Sequence, residues 1–198
     1  MKTITSRHGD VRQKILDAAK QRLWHYGFKK TTMDEIASDA GVGKGTVYLY
    51  FESKEDIALA ILGQWKEESL YAIQDIAEDA GKTPVQKLKE MLQQSLLMAH
   101  RKCLESPQML EMVIAVKPHI RAHIQTYMDT EHDLLAGVLA EGNHRGEFDV
   151  PDPLGAARTL KMMTHGFLPP YPYVNTQEEI AAEIAGIVDL TVRGLRKA

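Results

Sequence analysis

At four points where a helical pattern begins, a Ser or Thr stands three residues ahead of an acid or an amide: Thr32–Glu35, Ser53–Asp56, Thr83–Gln86 and Thr176–Glu179. At that spacing the hydroxyl accepts from the third amide of a helix, and the other side chain reaches back to the cap's own N–H. Each pair therefore starts a helix, and the four are spread over most of the length. Between them apolar residues recur at three and four, as in Val11, Ile15, Ala18, Ala19, Leu23 and Tyr26, or Leu88, Leu92, Leu96 and Ala99. The strand signal of alternating β-branched runs between turn dipeptides is missing. The chain is expected to be all-α, with about nine helices.

Three of these crowd into the first 50 residues. A first helix is expected over 10–26, ended by Gly27. A short one covers 33–39, with Met33, Ile36, Ala37 and Ala40 on one side, and another covers about 44–50 after Gly41-Val42-Gly43. A long helix follows from Ser53 through Ile57, Ile61, Trp65, Ile73 and Ile76. Proline at the first helical position marks further starts at Thr83-Pro84, Ser106-Pro107, Lys117-Pro118 and Asp152-Pro153. The stretch 143–151 reads as a loop, and Pro169-Pro170-Tyr171-Pro172 as irregular backbone. The expected division is a DNA-binding domain over 1–52 and a larger helical domain over 53–198.

Composition enters through charge. Residues 1–50 carry nine Lys or Arg against five Asp or Glu, whereas the other 148 carry fifteen against twenty-two. A basic end on an acidic body suits a partner that is a polyanion. The lone Cys103 excludes an intrachain disulfide and suits a reducing cytoplasm. The first ten residues lack the apolar core of a signal peptide, and apolar runs such as 57–62 and 112–116 are far too short to span a bilayer. A soluble intracellular protein is expected.

The segment Gly41-Val42-Gly43-Lys44-Gly45-Thr46 superficially matches a phosphate-binding loop. The fingerprint needs glycine at 38 and Ser or Thr at 45; Ser38 and Gly45 stand there. Such a loop must also follow a buried parallel strand, yet the preceding Met33–Ala40 is a capped segment of helical period. Two short helices joined by a glycine turn instead make a helix-turn-helix, whose second helix enters a major groove. Gly41 supplies the left-handed exit, Val42 packs beside Ile36, Ala37 and Val47, and Gly43 and Gly45 let a sugar-phosphate backbone come close. The free amides opening the second helix point at anions, as phosphates require.

From Arg12 to Ile57 the sequence resembles the DNA-binding domain of TetR-family transcriptional regulators. The likeness lies in I-L-D-A-A (15–19), G-F-x-x-T-T-M (27–33), I-A-x-x-A-G-V (36–42), G-T-x-Y-x-Y-F (45–51) and S-K-E (53–55). It covers about a quarter of the chain strongly. One departure is Leu23, where the family more often has phenylalanine, a conservative change in the core. The resemblance implies that Lys44, Gly45 and Thr46 open the recognition helix, with Lys44 donating to guanine and Thr46 meeting a base edge or a thymine methyl. It implies phosphate contacts by Tyr48 and Tyr50, and phosphate clamps at Thr32 and Lys54. Val47 and Phe51 are assigned to the core.

The resemblance further implies a homodimer on a pseudo-palindromic operator of double-stranded DNA, released by an unknown small-molecule inducer bound in the second domain, with the helix from Ser53 as lever. Candidates for the pocket are Trp65, Met98, His100, Met112, His119, His123, Tyr127, His165 and Phe167. The dimer interface is expected on the last two helices, through Leu160, Met163, Phe167, Ile180, Ile184, Ile187 and Val188. His119 and His123 have the i,i+4 spacing of two metal ligands, but no Cys or carboxylate lies on the adjoining turns at 115, 116 or 127. No catalytic residue, metal or cofactor is called for. The competing reading is a nucleotide- or metal-dependent enzyme using Lys44 or the His119/His123 pair; a third is an architectural DNA-binding protein without a ligand.

Overall fold

The computed structural model describes residues 3–104, 106–166 and 176–196. These form eight α-helices: α1 (Thr3–Tyr26), α2 (Met33–Asp39), α3 (Lys44–Tyr48), α4 (Lys54–Glu78), α5 (Pro84–Leu104), α6 (Pro107–His144), α7 (Pro153–His165) and α8 (Gln177–Leu195). There is no β-strand among the described residues beyond one isolated bridge, Phe148 to Arg196. No helix among them is long and apolar enough to cross a membrane.

The caps behave as their spacing requires. Thr32 and Thr176 each close a full capping box, with Glu35 and Glu179 returning to the cap amides. Asp56 accepts from the Ser53 amide at 3.2 Å, and Gln86 accepts from the Thr83 amide at 2.8 Å. The count is eight rather than nine because Pro118 lies inside α6 instead of opening a new helix. Proline removes one amide and leaves the carbonyl of Ile114 without its helical donor. Here Ile114, Ala115, Lys117 and Pro118 are all exposed, so water can satisfy that carbonyl. Met109, Met112 and Val116 on the opposite side stay buried and hold the helix through the interruption. α1 also begins seven residues ahead of the expected start at Asp10. The prolines at 169–172 fall outside the described residues.

The chain divides into two compact units, one formed by 1–65 with 105–123, the other by 66–104 with 124–198. α4 and α6 each contribute to both. The first core gathers Ile15, Leu16 and Leu23 of α1, Ile36 of α2, Val47 of α3, Ile57 and Ile61 of α4, and Met109, Met112 and Val116 of α6. The second gathers Ile73, Leu88, Leu92, Leu96, Leu135, Leu139, Leu160, Ile180, Ile184 and Val188.

Candidate nucleic-acid interface

The turn between α2 and α3 follows from three residues. Ala40 ends α2, and Gly41 has φ +66°, the left-handed region that favours glycine. The Gly41 amide donates to Ser38 O at 3.1 Å, and the Val42 amide to Ala37 O at 3.0 Å. These are the two bonds of a Schellman motif, completed by Val42 packing on the core. α3 then starts at Gly43 with no side chain capping it. Val47 is wholly buried and fixes which side of α3 faces inward.

The opposite side of α3 carries the candidate contacts. Lys44 and Gly45 are exposed, Thr46 is half-buried, and Tyr48 is 47% exposed. Gly45 has no internal explanation: its φ is not left-handed, and a β-carbon there would meet nothing within 4 Å. Glycine inside a helix costs about 1 kcal/mol relative to alanine. The open space over Gly45 leaves room for a close approach. Tyr50 is half-buried against the first core, and Leu49, which the sequence reading passed over, is exposed beside Tyr48. Leu49 gave no signal because the motif G-T-x-Y-x-Y-F leaves its position unspecified.

Lys44 is paired: its Nζ lies 2.7 Å from Asp34 Oδ1 and donates to Oδ2 at 3.0 Å, which holds the ammonium above its ordinary pKa. Thr32 is occupied as a cap, donating its hydroxyl to Glu35 Oε2 at 2.8 Å while accepting from the Glu35 amide. The Thr32 hydroxyl and the Thr32 amide, which donates to Glu35 Oε2 at 2.9 Å, together with the Arg22 guanidinium keep the Glu35 carboxyl below its usual range. Arg22 joins α1 to α2, 2.6 Å from Glu35 and 2.7 Å from Asp39. Lys54 turns toward the 28–31 turn, donating to Phe28 O at 2.6 Å and Thr31 O at 3.0 Å, with its ammonium 4.3 Å from the Phe28 ring centre.

The other candidates fall in both units. Met112 is buried in the first core and Trp65 packs against it, while His119 and His123 are exposed on α6. Met98 and Tyr127 are half-buried and His100 is buried, all in the second unit. Phe167 lies outside the described residues, as does the His165 side chain. No group of three or more His, Cys, Asp or Glu suited to a metal occurs among the described residues. Of the dimer candidates, Leu160, Ile180, Ile184 and Val188 are buried within the second core, Ile187 is half-buried and Met163 is exposed.

Residues 15–61 match the sequence family described as bacterial regulatory proteins, tetR family, and residues 84–188 match the tetracyclin repressor-like C-terminal domain. The chain is 30% identical over 138 residues to the fatty acid metabolism regulator protein of Bacillus subtilis strain 168, covering 67% of this chain and 68% of that one. It is 25% identical over 193 residues to the HTH-type transcriptional regulator YfiR of the same organism, covering 94% and 91%. A solved transcriptional regulator from Cytophaga hutchinsonii superposes with a TM-score of 0.75 at 22% identity, over 92% of this chain and 97% of that one. With family matches at both ends and a helix-turn-helix built as the family builds it, this chain belongs to the TetR family of transcriptional regulators.

Proposed function

We propose that the protein is a homodimeric repressor that leaves a pseudo-palindromic operator when a small-molecule inducer binds it. It acts in the cytoplasm and catalyses no reaction. The observation that carries the DNA reading is the outward side of α3, where Lys44, Gly45, Thr46 and Tyr48 are presented and Gly45 lacks any reason within the protomer. In this reading Lys44 and Thr46 meet base edges, and Tyr48 and Tyr50 bond phosphates. Thr32 meets a phosphate by turning its one hydroxyl proton from Glu35 Oε2 to the phosphate oxygen. Lys54 has one donor beyond the two given to Phe28 and Thr31, and that donor serves a phosphate. Residues 1–52 read DNA, and 53–198 sense the inducer and dimerise.

For the dimer, the outward side of α7 and α8 is the better surface. Ile180, Ile184 and Val188 hold α8 on its own core, while Met162 and Met163 of α7 stay exposed, as does Leu190 of α8 one and two turns from the small residues Gly186 and Ala182. Large apolar side chains left wet together mark a surface that a partner covers. A second copy brings two recognition helices to successive major grooves.

Titrating a fluorescent duplex from the protein's own promoter region tests the reading. Saturable binding is expected, with log affinity falling linearly in log salt by roughly 0.9 for each phosphate contacted. ATP turnover without DNA binding would refute it.

A further inference from the structure

The second unit holds a group of charges that DNA binding does not use. Four helices converge on it, with Lys66 from α4, Ser95 from α5, Glu131 from α6 and Lys161 from α7. Lys161 Nζ lies 2.7 Å from both Glu131 Oε1 and Ser95 Oγ. Ser95 and Glu131 are buried, and Lys161 is nearly so. Burial pushes the Glu131 carboxyl up, but Lys161, then Lys66, and the bonds from Lys161 and Ser95 bring it below the usual range. Glu131 is therefore an anion. Burial pushes the Lys66 ammonium down, opposed by Glu131 and reinforced by the charge on Lys161.

The cluster thus sets two ammonium groups against one carboxylate. Among the described residues no hydrogen bond or ion pair reaches Lys66 Nζ. Stability does not account for such a group, because removing ions from water costs several kcal/mol each and apolar replacements are often neutral or better. One turn away along the same helices stand Met98 on α5 and Tyr127 and Met128 on α6, all half-buried. Lys66 thus adds a cation beyond the Lys161–Glu131 pair, and Met98, Tyr127 and Met128 on the helices that carry the cluster are only half-buried.

We propose that Lys66 is the head-group contact of the effector site, taking the carboxylate of a small amphipathic monoanion. The apolar part of that molecule runs along Met98, Tyr127 and Met128. The assignment rests on the inducer-responsive reading above. One negative charge balances the cluster, whereas a phosphate dianion overshoots by one. The Lys161–Glu131–Ser95 triangle holds the floor of the site and keeps Glu131 from taking Lys66 for itself. In this half-dry setting a carboxylate on Lys66 gains far more than it does in water.

The test uses the full chain, with octanoate and benzoate as probes and octanol and benzyl alcohol as their neutral counterparts. At least one acid is expected to raise the thermal midpoint of the wild type where its alcohol does not. Lys66→Met is expected to fold at least as stably and to bind that acid about tenfold more weakly or worse, the value of one charge pair. Lys66→Gln serves if the methionine variant fails to fold, and Lys66→Arg restores binding. If neither acid outdoes its alcohol, or binding survives unchanged in Lys66→Met, the proposal is overturned. Operator affinity is read in parallel. An acid that binds through Lys66 and weakens operator binding supports the effector role, and one that leaves it unchanged overturns that role. A chain that binds the acid but no duplex refutes the regulator reading while leaving the carboxylate site standing.

Discussion

Two ion pairs in this protein share a bond length and nothing else. Lys44 and Asp34, in the first unit, approach to 2.7 Å with their side chains 60% and 62% exposed. Lys161 and Glu131, in the second, approach to the same 2.7 Å at 15% and 8%. In water the first pair exchanges readily for other partners, since solvent screens the attraction and either side chain can be rehydrated. The second has no such exchange, and either member left alone keeps an uncompensated charge out of water. Burial therefore decides what each pair is for. The exposed lysine is available to a polyanion, while the buried one is committed to the protein's own interior.

The sharpest way to break that comparison is to delete one carboxylate from each pair. Glu131→Ala strands two ammonium groups and is expected to cost about 3–5 kcal/mol in a urea melt. A loss below 1 kcal/mol would show that the second pair is as wet as the first. The pH dependence follows the same logic. The Glu131 carboxyl sits below its unfolded value of about 4.3, so its stabilisation is present above that pH and fades as pH falls through the folded value. Lys66 runs the other way. Its folded pKa is lowered, so the unfolded chain holds more protons at alkaline pH, and stability rises from the folded value toward about 10.4. Difference curves of wild type against Glu131→Gln and Lys66→Met isolate the two limbs, and a limb of opposite sign would contradict the assignment.

Backbone changes come next in size. Gly41→Ala forces a β-carbon into the left-handed region and is expected to cost about 1–2 kcal/mol, with DNA binding weakened as α3 loses its anchor. The capping threonines give a matched pair, each expected to cost about 1 kcal/mol on mutation to alanine. Thr32→Ala weakens DNA binding beyond what its stability loss explains, whereas Thr176→Ala leaves binding per folded molecule unchanged. The smallest effect on folding is Asp34→Asn, for which the thermal midpoint stays put. It frees Lys44 and removes a carboxylate facing phosphate, so affinity for random duplex rises several-fold at low salt. Unchanged affinity for random DNA would mean that the Asp34 pairing does not compete with DNA.

The contrast between the units also marks how far the sequence could be read. The helix-turn-helix was legible residue by residue because its information is local: a cap at Thr32, a left-handed glycine at 41, a buried Val47. In the second unit local rules placed the helices but not their partners. The stripe Ile180, Ile184, Val188 announces an apolar neighbour without saying whether that neighbour is the protomer's own core, which is where it packs. Pro118 looked like a helix start because the rule sees one residue and not the buried methionines that carry α6 past it. The charge cluster was invisible for a deeper reason. Lys66, Ser95, Glu131 and Lys161 are dozens of residues apart, each ordinary for a solvated face, and only folding brings them together.

The proposed reading of base edges by α3 through Lys44 is tested most directly by one comparison: the affinity of wild type and Lys44→Ala for the operator duplex and for a random duplex of equal length. Tyr48→Ala, which removes the proposed phosphate contact, is expected to weaken both by a similar factor. For Lys44→Ala the loss on the operator is expected to exceed the loss on random DNA, so the ratio between the two falls. Equal losses on both duplexes would reduce Lys44 to one more phosphate contact and contradict the assignment.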